Sequence, residues 1–115
     1  MPHCIIEYSA QLTSTIKPSQ LISAVHNGAF STELFDEHDI KVRAMSFDDY
    51  QSGSIKANFI HVIARILSGR TLIQRQALSN AIVSELSFLN CSSTSITVEV
   101  VDIERESYAK IVTSA

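Results

Sequence analysis

The chain has 115 residues, 45% hydrophobic and 18% charged, with a formal net charge of −3 and a pI near 5.7. That length fits one domain spanning 1–115 with a core large enough to stand without staples. The composition excludes an intrinsically disordered chain, which would be polar and highly charged, and a nucleic-acid binder driven by a basic face.

Cys4-Ile5-Ile6-Glu7-Tyr8 is β-branched and aromatic and reads as a short strand. Ser9 to Thr15 is polar and reads as a loop. Pro18 suits a first helical turn, and Leu21, Ile22, Val25 and Ala29 follow at helical spacing, which predicts a helix from about Pro18 to Asn27 with Gly28 as its stop. Ala29 to Asp39 leaves room for one more short turn. Ile40 to Phe47 alternates at period two and reads as a half-exposed strand with Lys41 and Arg43 on one face. Asp48 to Ser54 reads as a loop.

Asn58 to Leu67, rich in Phe and Ile, is the strongest strand, with His61 on the face of Phe59, Ile63 and Arg65. Its apolar run is too short and too polar for a membrane span. Ser68-Gly69-Arg70 reads as a turn, and Thr71 with Gln74 three residues on forms a capping box. Ile73, Ala77, Leu78, Ala81, Ile82, Leu86 and Leu89 then recur at three- and four-residue steps, predicting a helix over about Leu72 to Leu89. Ser92 to Ser95 breaks the pattern, Ile96 to Ile103 is a fourth strand, and Tyr108 to Val112 reads as a short strand or a tail. Glu7, Tyr8 and Ser9 interrupt what would be a secretory signal, and Cys4 and Cys91 make no disulfide scaffold. The expectation is a cytoplasmic chain with reduced thiols.

The order is strand–helix–strand, twice. Each βαβ half should hold its strands parallel with a right-handed crossover. Two halves side by side give an α+β subunit, a four-stranded mixed sheet with both helices on one face. The other face has no cover within the chain and asks for partner subunits.

Four motifs stand out: Pro2-His3-x-Ile5-x-Glu7-Tyr8-Ser9 at the start, Ile40-x-x-Arg43, Phe59-x-His61, and Gly69-Arg70-x-x-x-x-Arg75 opening the second helix. Together they resemble the tautomerase superfamily, and within it the 5-carboxymethyl-2-hydroxymuconate delta-isomerase family. The resemblance covers essentially the whole chain. It implies a βαβ-βαβ subunit and a homotrimer whose sheets pack inward, in agreement with the uncovered face.

It also implies a chemistry. Removal of Met1 would expose the secondary amine of Pro2, whereas a retained Met1 would leave Pro2 an amide nitrogen without basicity. An ordinary α-amine titrates at about 8; desolvation or nearby cations lower that value and make a base suited to neutral pH. Pro2 would take a proton from a dienol hydroxyl or an allylic carbon and return it elsewhere on the conjugated system, with no cofactor and no metal. The substrate would be an unsaturated 2-hydroxy or 2-keto acid with several carboxylates. Arg70, just before a helix N-terminus, and the Lys41/Arg43 pair are the positions the resemblance offers for binding them. Lys41 departs from the family pattern, which has an arginine there, and that departure opens other enol-acid substrates, phenylenolpyruvate among them. A trimeric interaction protein that retains the fold without turnover is the alternative from another class.

Each feature also has a plainer reading. His3 and His61 are structural, the latter hydrogen-bonded in a core or interface. Arg70 caps or pairs locally, and Arg75 forms a subunit salt bridge or is solvated. Lys41 and Arg43 guard an exposed strand edge. Asp36 to Asp39 form a solvated acidic loop rather than a metal site. Cys4 is a small buried hydrophobe and Cys91 a helix-end thiol.

Overall fold

The computed structural model describes residues 1–115. Strand β1 (His3–Ser9) sends Cys4, Ile6 and Tyr8 inward and leaves His3, Ile5 and Glu7 half-buried on the other face. Ala10–Ser14 closes into a 3-10 helix rather than an open loop. Its apolar member Leu12 is buried, which gives this polar segment a reason to turn inward.

Helix α1 (Pro18–Ser31) starts with Pro at its first position, while the Gln20 side chain accepts from the Lys17 amide at 2.8 Å. It does not stop at Gly28 but continues to Ser31. Gly28 is buried where a Cβ would come within 2.9 Å of the Ile82 Cα and 3.0 Å of the Ala81 carbonyl. The glycine therefore permits a close helix crossing and marks no end. The helix ends where Glu33 takes a left-handed φ of 60°.

Strand β2 (Lys41–Phe47) pairs parallel with β1, and β3 (Asn58–Leu67) pairs antiparallel with its other edge. Helix α2 (Leu72–Ser87) opens on the expected capping box: Thr71 Oγ1 accepts from the Gln74 amide at 3.1 Å, and Gln74 Oε1 accepts from the Thr71 amide at 2.9 Å. It buries Leu78, Ile82 and Leu86. Ile73 and Ala77, counted in the apolar stripe, are exposed. The crossing with α1 lies at Ala81–Ile82, about 12–13 Å along the axis from Ile73, so the first turns run past the helix they would pack on.

Strand β4 (Thr94–Ile103) pairs parallel with β3, giving the sheet order β2-β1-β3-β4. Both βαβ halves are thus parallel inside and meet antiparallel at β1 and β3, as the element order predicts. Ser9, the one buried polar residue, ties the halves together: its Oγ donates to Asn58 Oδ1 at 3.1 Å and accepts from the Phe59 amide at 3.1 Å.

Helix α1 covers β1 and β2, and α2 covers β4 while packing on α1. The opposite sheet face carries Ile5, Ile63 and Val101 among His3, Glu7, His61 and Glu99; no helix covers it, and the chain reaches it only through Tyr108 at His3 and Tyr50 at Phe59. Residues 108–112 form no strand; after a 3-10 turn at Arg105–Ser107 the segment folds back toward the N-terminus. No helix is long and apolar enough to cross a membrane.

Candidate functional site

The N-terminal end of β1 lies beside the loop that enters β2. The Pro2 ring is fully buried, and the Pro2 carbonyl accepts from the Lys41 amide at 3.0 Å. One residue before it, the Met1 ammonium donates to the Asp39 carbonyl at 2.9 Å, and the Lys41 Nζ reaches the same oxygen at 3.4 Å. Met1 Sδ accepts from the Leu67 amide at 3.0 Å, so this side chain lies across the end of β3. Desolvation, reinforced by the Lys41 charge, holds the terminal amine below its ordinary value; Asp39 opposes and Lys110 assists.

A cavity of about 420 Å³ opens at this end. Its cations are Arg70, Arg105 and Lys110, and its apolar wall includes Met1, Leu34, Phe35 and Leu67. The Arg70 Nη2 donates to the Leu34 carbonyl at 2.6 Å, and its guanidinium lies 5.6 Å from the Phe35 ring centroid. Arg105 donates through Nε and Nη2 to the Ser68 carbonyl at 3.2 and 3.0 Å. Lys110 pairs with the Asp39 carboxylate at 3.1 Å, and that hydrogen bond holds Asp39 below the usual carboxylate range.

Tyr108, also on the cavity wall, is bonded to His3 Nε2 at 2.8 Å, and Arg43 approaches His3 Nδ1 at 3.4 Å. A guanidinium only donates, so Nδ1 accepts and the neutral ring donates from Nε2 to the Tyr108 oxygen. Burial and the Arg43 charge both hold His3 below the ordinary histidine value.

Of the expected site residues, Arg70 lines this cavity; Pro2 does not line it, being buried one residue behind Met1, which does. Lys41 lines an adjoining one of about 450 Å³, which shares Asp39, Tyr108 and Lys110 with the first. Arg43 is exposed on β2, lines neither cavity, and reaches the site only through His3. Arg105, Tyr108 and Lys110 escaped the sequence reading because the C-terminal segment carries no periodicity. The signal available was two cations flanking an aromatic residue, in a stretch otherwise read as a tail.

Asp36, His38 and Asp39 bring donor atoms within 4.8 Å of one another, but Asp36 and His38 are exposed and Asp39 is engaged by Lys110. They form a solvated acidic loop. His61 is hydrogen-bonded to Thr97 Oγ1 at 2.7 Å and Glu99 Oε2 at 2.6 Å on the uncovered sheet face, away from the cavities. Cys4 is buried, with its thiol pushed up to about 11.

Residues 2–110 match the family model described as 5-carboxymethyl-2-hydroxymuconate isomerase. Among solved structures, a 5-carboxymethyl-2-hydroxymuconate delta-isomerase superposes with a TM-score of 0.82 at 17% identity, covering 98% of this chain and 89% of that one. A 5-carboxymethyl-2-hydroxymuconate isomerase from Deinococcus radiodurans R1 gives 0.81 at 17% identity, covering 97% and 90%. A fused 4-OT wild-type symmetric trimer gives 0.76 at 18% identity, covering 91% and 89%. At these identities the structural matches establish the fold. No curated protein matches the sequence significantly.

Proposed function

The chain belongs to the 5-carboxymethyl-2-hydroxymuconate isomerase family and is an isomerase of the tautomerase type; on that premise we propose that it acts on 5-carboxymethyl-2-hydroxymuconate with the Pro2 amine as its base. The observation that supports this reading is a buried Pro2 just before β1, directly behind Met1, which lines a cavity that holds Arg70, Arg105 and Lys110 as well as Asp36 and Asp39.

The chemistry is a proton transfer. The substrate's name describes a hexadienedioate with a hydroxyl at carbon 2 and a carboxymethyl branch at carbon 5, so it brings three carboxylates. With Met1 removed, the free Pro2 nitrogen takes the 2-hydroxyl proton. The electron pair moves through the diene, oxygen becomes a ketone, and the proton is delivered at carbon 5. Charge spreads along the substrate's own conjugation, so the reading includes no cofactor and no metal. The desolvation and Lys41 charge that lower the Met1 amine would act in the same direction on a Pro2 amine.

Arg70 binds a carboxylate from a position fixed by the Leu34 carbonyl and the Phe35 ring. Lys41 supplies a cation from the adjoining cavity. Arg43 contributes by holding His3 against Tyr108. The reading carries with it a homotrimer, packed through the open sheet face, and a cytoplasmic location. One observation favours a second substrate: Lys41 opens onto a cavity of its own, which suits a same-fold tautomerase acting on another enol acid, such as phenylenolpyruvate.

A spectrophotometric assay with 5-carboxymethyl-2-hydroxymuconate, on protein whose mass confirms the loss of Met1, tests the assignment. Pro2→Ala, which loses the ring-held secondary amine, should reduce kcat by about a hundredfold to ten-thousandfold. Full activity in that variant would remove Pro2 from the mechanism.

A further inference from the structure

The geometry points to Arg105 as a second carboxylate-binding residue of the cavity, paired with Arg70 so that the site takes an acid charged at both ends. This rests on the reading of the cavity as the substrate site. Arg70 follows β3 and Arg105 follows β4, and because those strands run parallel both come to one turn. Arg70 leaves the Ser68-Gly69-Arg70 turn directly. Arg105 arrives from the segment after β4 and clamps the Ser68 carbonyl through Nε and Nη2. A Cβ built on Gly69 would lie 3.9 Å from Arg105 Nη2, so this guanidinium sits directly over the turn. Both side chains line the same cavity.

Each arginine is anchored by a backbone carbonyl, and neither forms a salt bridge with a carboxylate of this chain. Arg70 uses one Nη2 contact on Leu34; Arg105 uses Nε and Nη2 on Ser68. A guanidinium has five N–H donors, so both retain unused donors after anchoring. Lys110 is different, since Asp39 already neutralises it. Asp36 also lines the cavity but forms no ion pair with either arginine; two anchored guanidiniums left unpaired, on a cavity with an apolar wall, recognise a chain-like dicarboxylate better than a monocarboxylate.

Arg105→Gln and Arg105→Lys test this. Arg105 is exposed, and glutamine keeps a donor for Ser68 while removing the charge. Calorimetry with adipate (the saturated six-carbon dicarboxylate) and hexanoate (its monocarboxylate counterpart) reads the effect without turnover. The wild type should prefer adipate. Arg105→Gln should weaken adipate roughly tenfold to a hundredfold, leave hexanoate nearly unchanged, and be partly rescued in Arg105→Lys. In the tautomerase assay the same variant should raise KM far more than it lowers kcat. Equal binding of adipate and hexanoate by the wild type, or an undiminished adipate preference in folded Arg105→Gln, would overturn the inference. A wild type that turns over no enol acid would defeat the proposed activity, while the adipate comparison would still decide the role of Arg105.

Discussion

His3 titrates below an ordinary histidine because it is partly desolvated and faces Arg43, with the terminal ammonium and Lys41 adding to the effect. The unfolded chain therefore binds this proton more readily than the native one. The stability contributed by a neutral His3 is fully present above about 6.5 and falls as pH drops through that value toward the lower native one. Thermal midpoints should decline over roughly pH 7 to 5, and His3→Gln should flatten that slope. Asp39 acts in a separate, more acidic window: its native value is depressed, so its contribution persists above the ordinary carboxylate range and disappears as pH falls through the native value. Of the expected site residues, Arg70 lines the cavity, and it was picked out because it lies in a short motif. The partner of His3, Tyr108, lies 105 residues away. Lys110 meets Asp39 across 71 residues. Local pattern carries no information about contacts at that range.

At the scale of elements, the α1–α2 crossing depends on one missing methyl group. A side chain at position 28 would press on the backbone of Ala81 and Ile82, which cannot swing aside as a flexible side-chain end can. Gly28→Ala should cost about 1–3 kcal/mol through overpacking, offset by up to about 1 kcal/mol of helix propensity. The net result should be a lower thermal midpoint with the helix content by circular dichroism retained. An unchanged or raised midpoint would mean that the helices part easily. The same glycine explains a misreading. Helix signals in sequence describe chain entropy and capping, and a glycine that ends a helix looks identical to one that admits a neighbour. Thr71 and Gln74 were readable because a capping box is closed within four residues. The inward stripe of α2 was only half readable, because periodicity fixes a face without fixing how far along the helix its cover extends.

For the whole molecule, the proposed trimer turns on the open sheet face. Ile63 sits between Ile5 and Glu99 in neighbouring strands, with Val101 further along β4. Apolar groups left in water at the middle of a sheet favour association. Sedimentation should give about three times the 12.7 kDa chain mass, and Ile63→Asp, which places a charge in that contact, should give single chains. A wild type sedimenting as one chain would leave the face open and remove the trimer. The segment after β4 has a different consequence. With Tyr108 bonded to His3 and Lys110 to Asp39, the segment after β4 comes back beside the start of β1. Connecting the two ends and reopening the polypeptide between residues 48 and 57, a largely exposed loop, would leave every strand pairing available. Such a circular permutant should preserve the architecture and, on the proposed mechanism, lose its activity, because its Pro2 nitrogen would be locked in an amide. The cyclic order of elements determines the shape; the position of the cut would determine whether the proposed base is free.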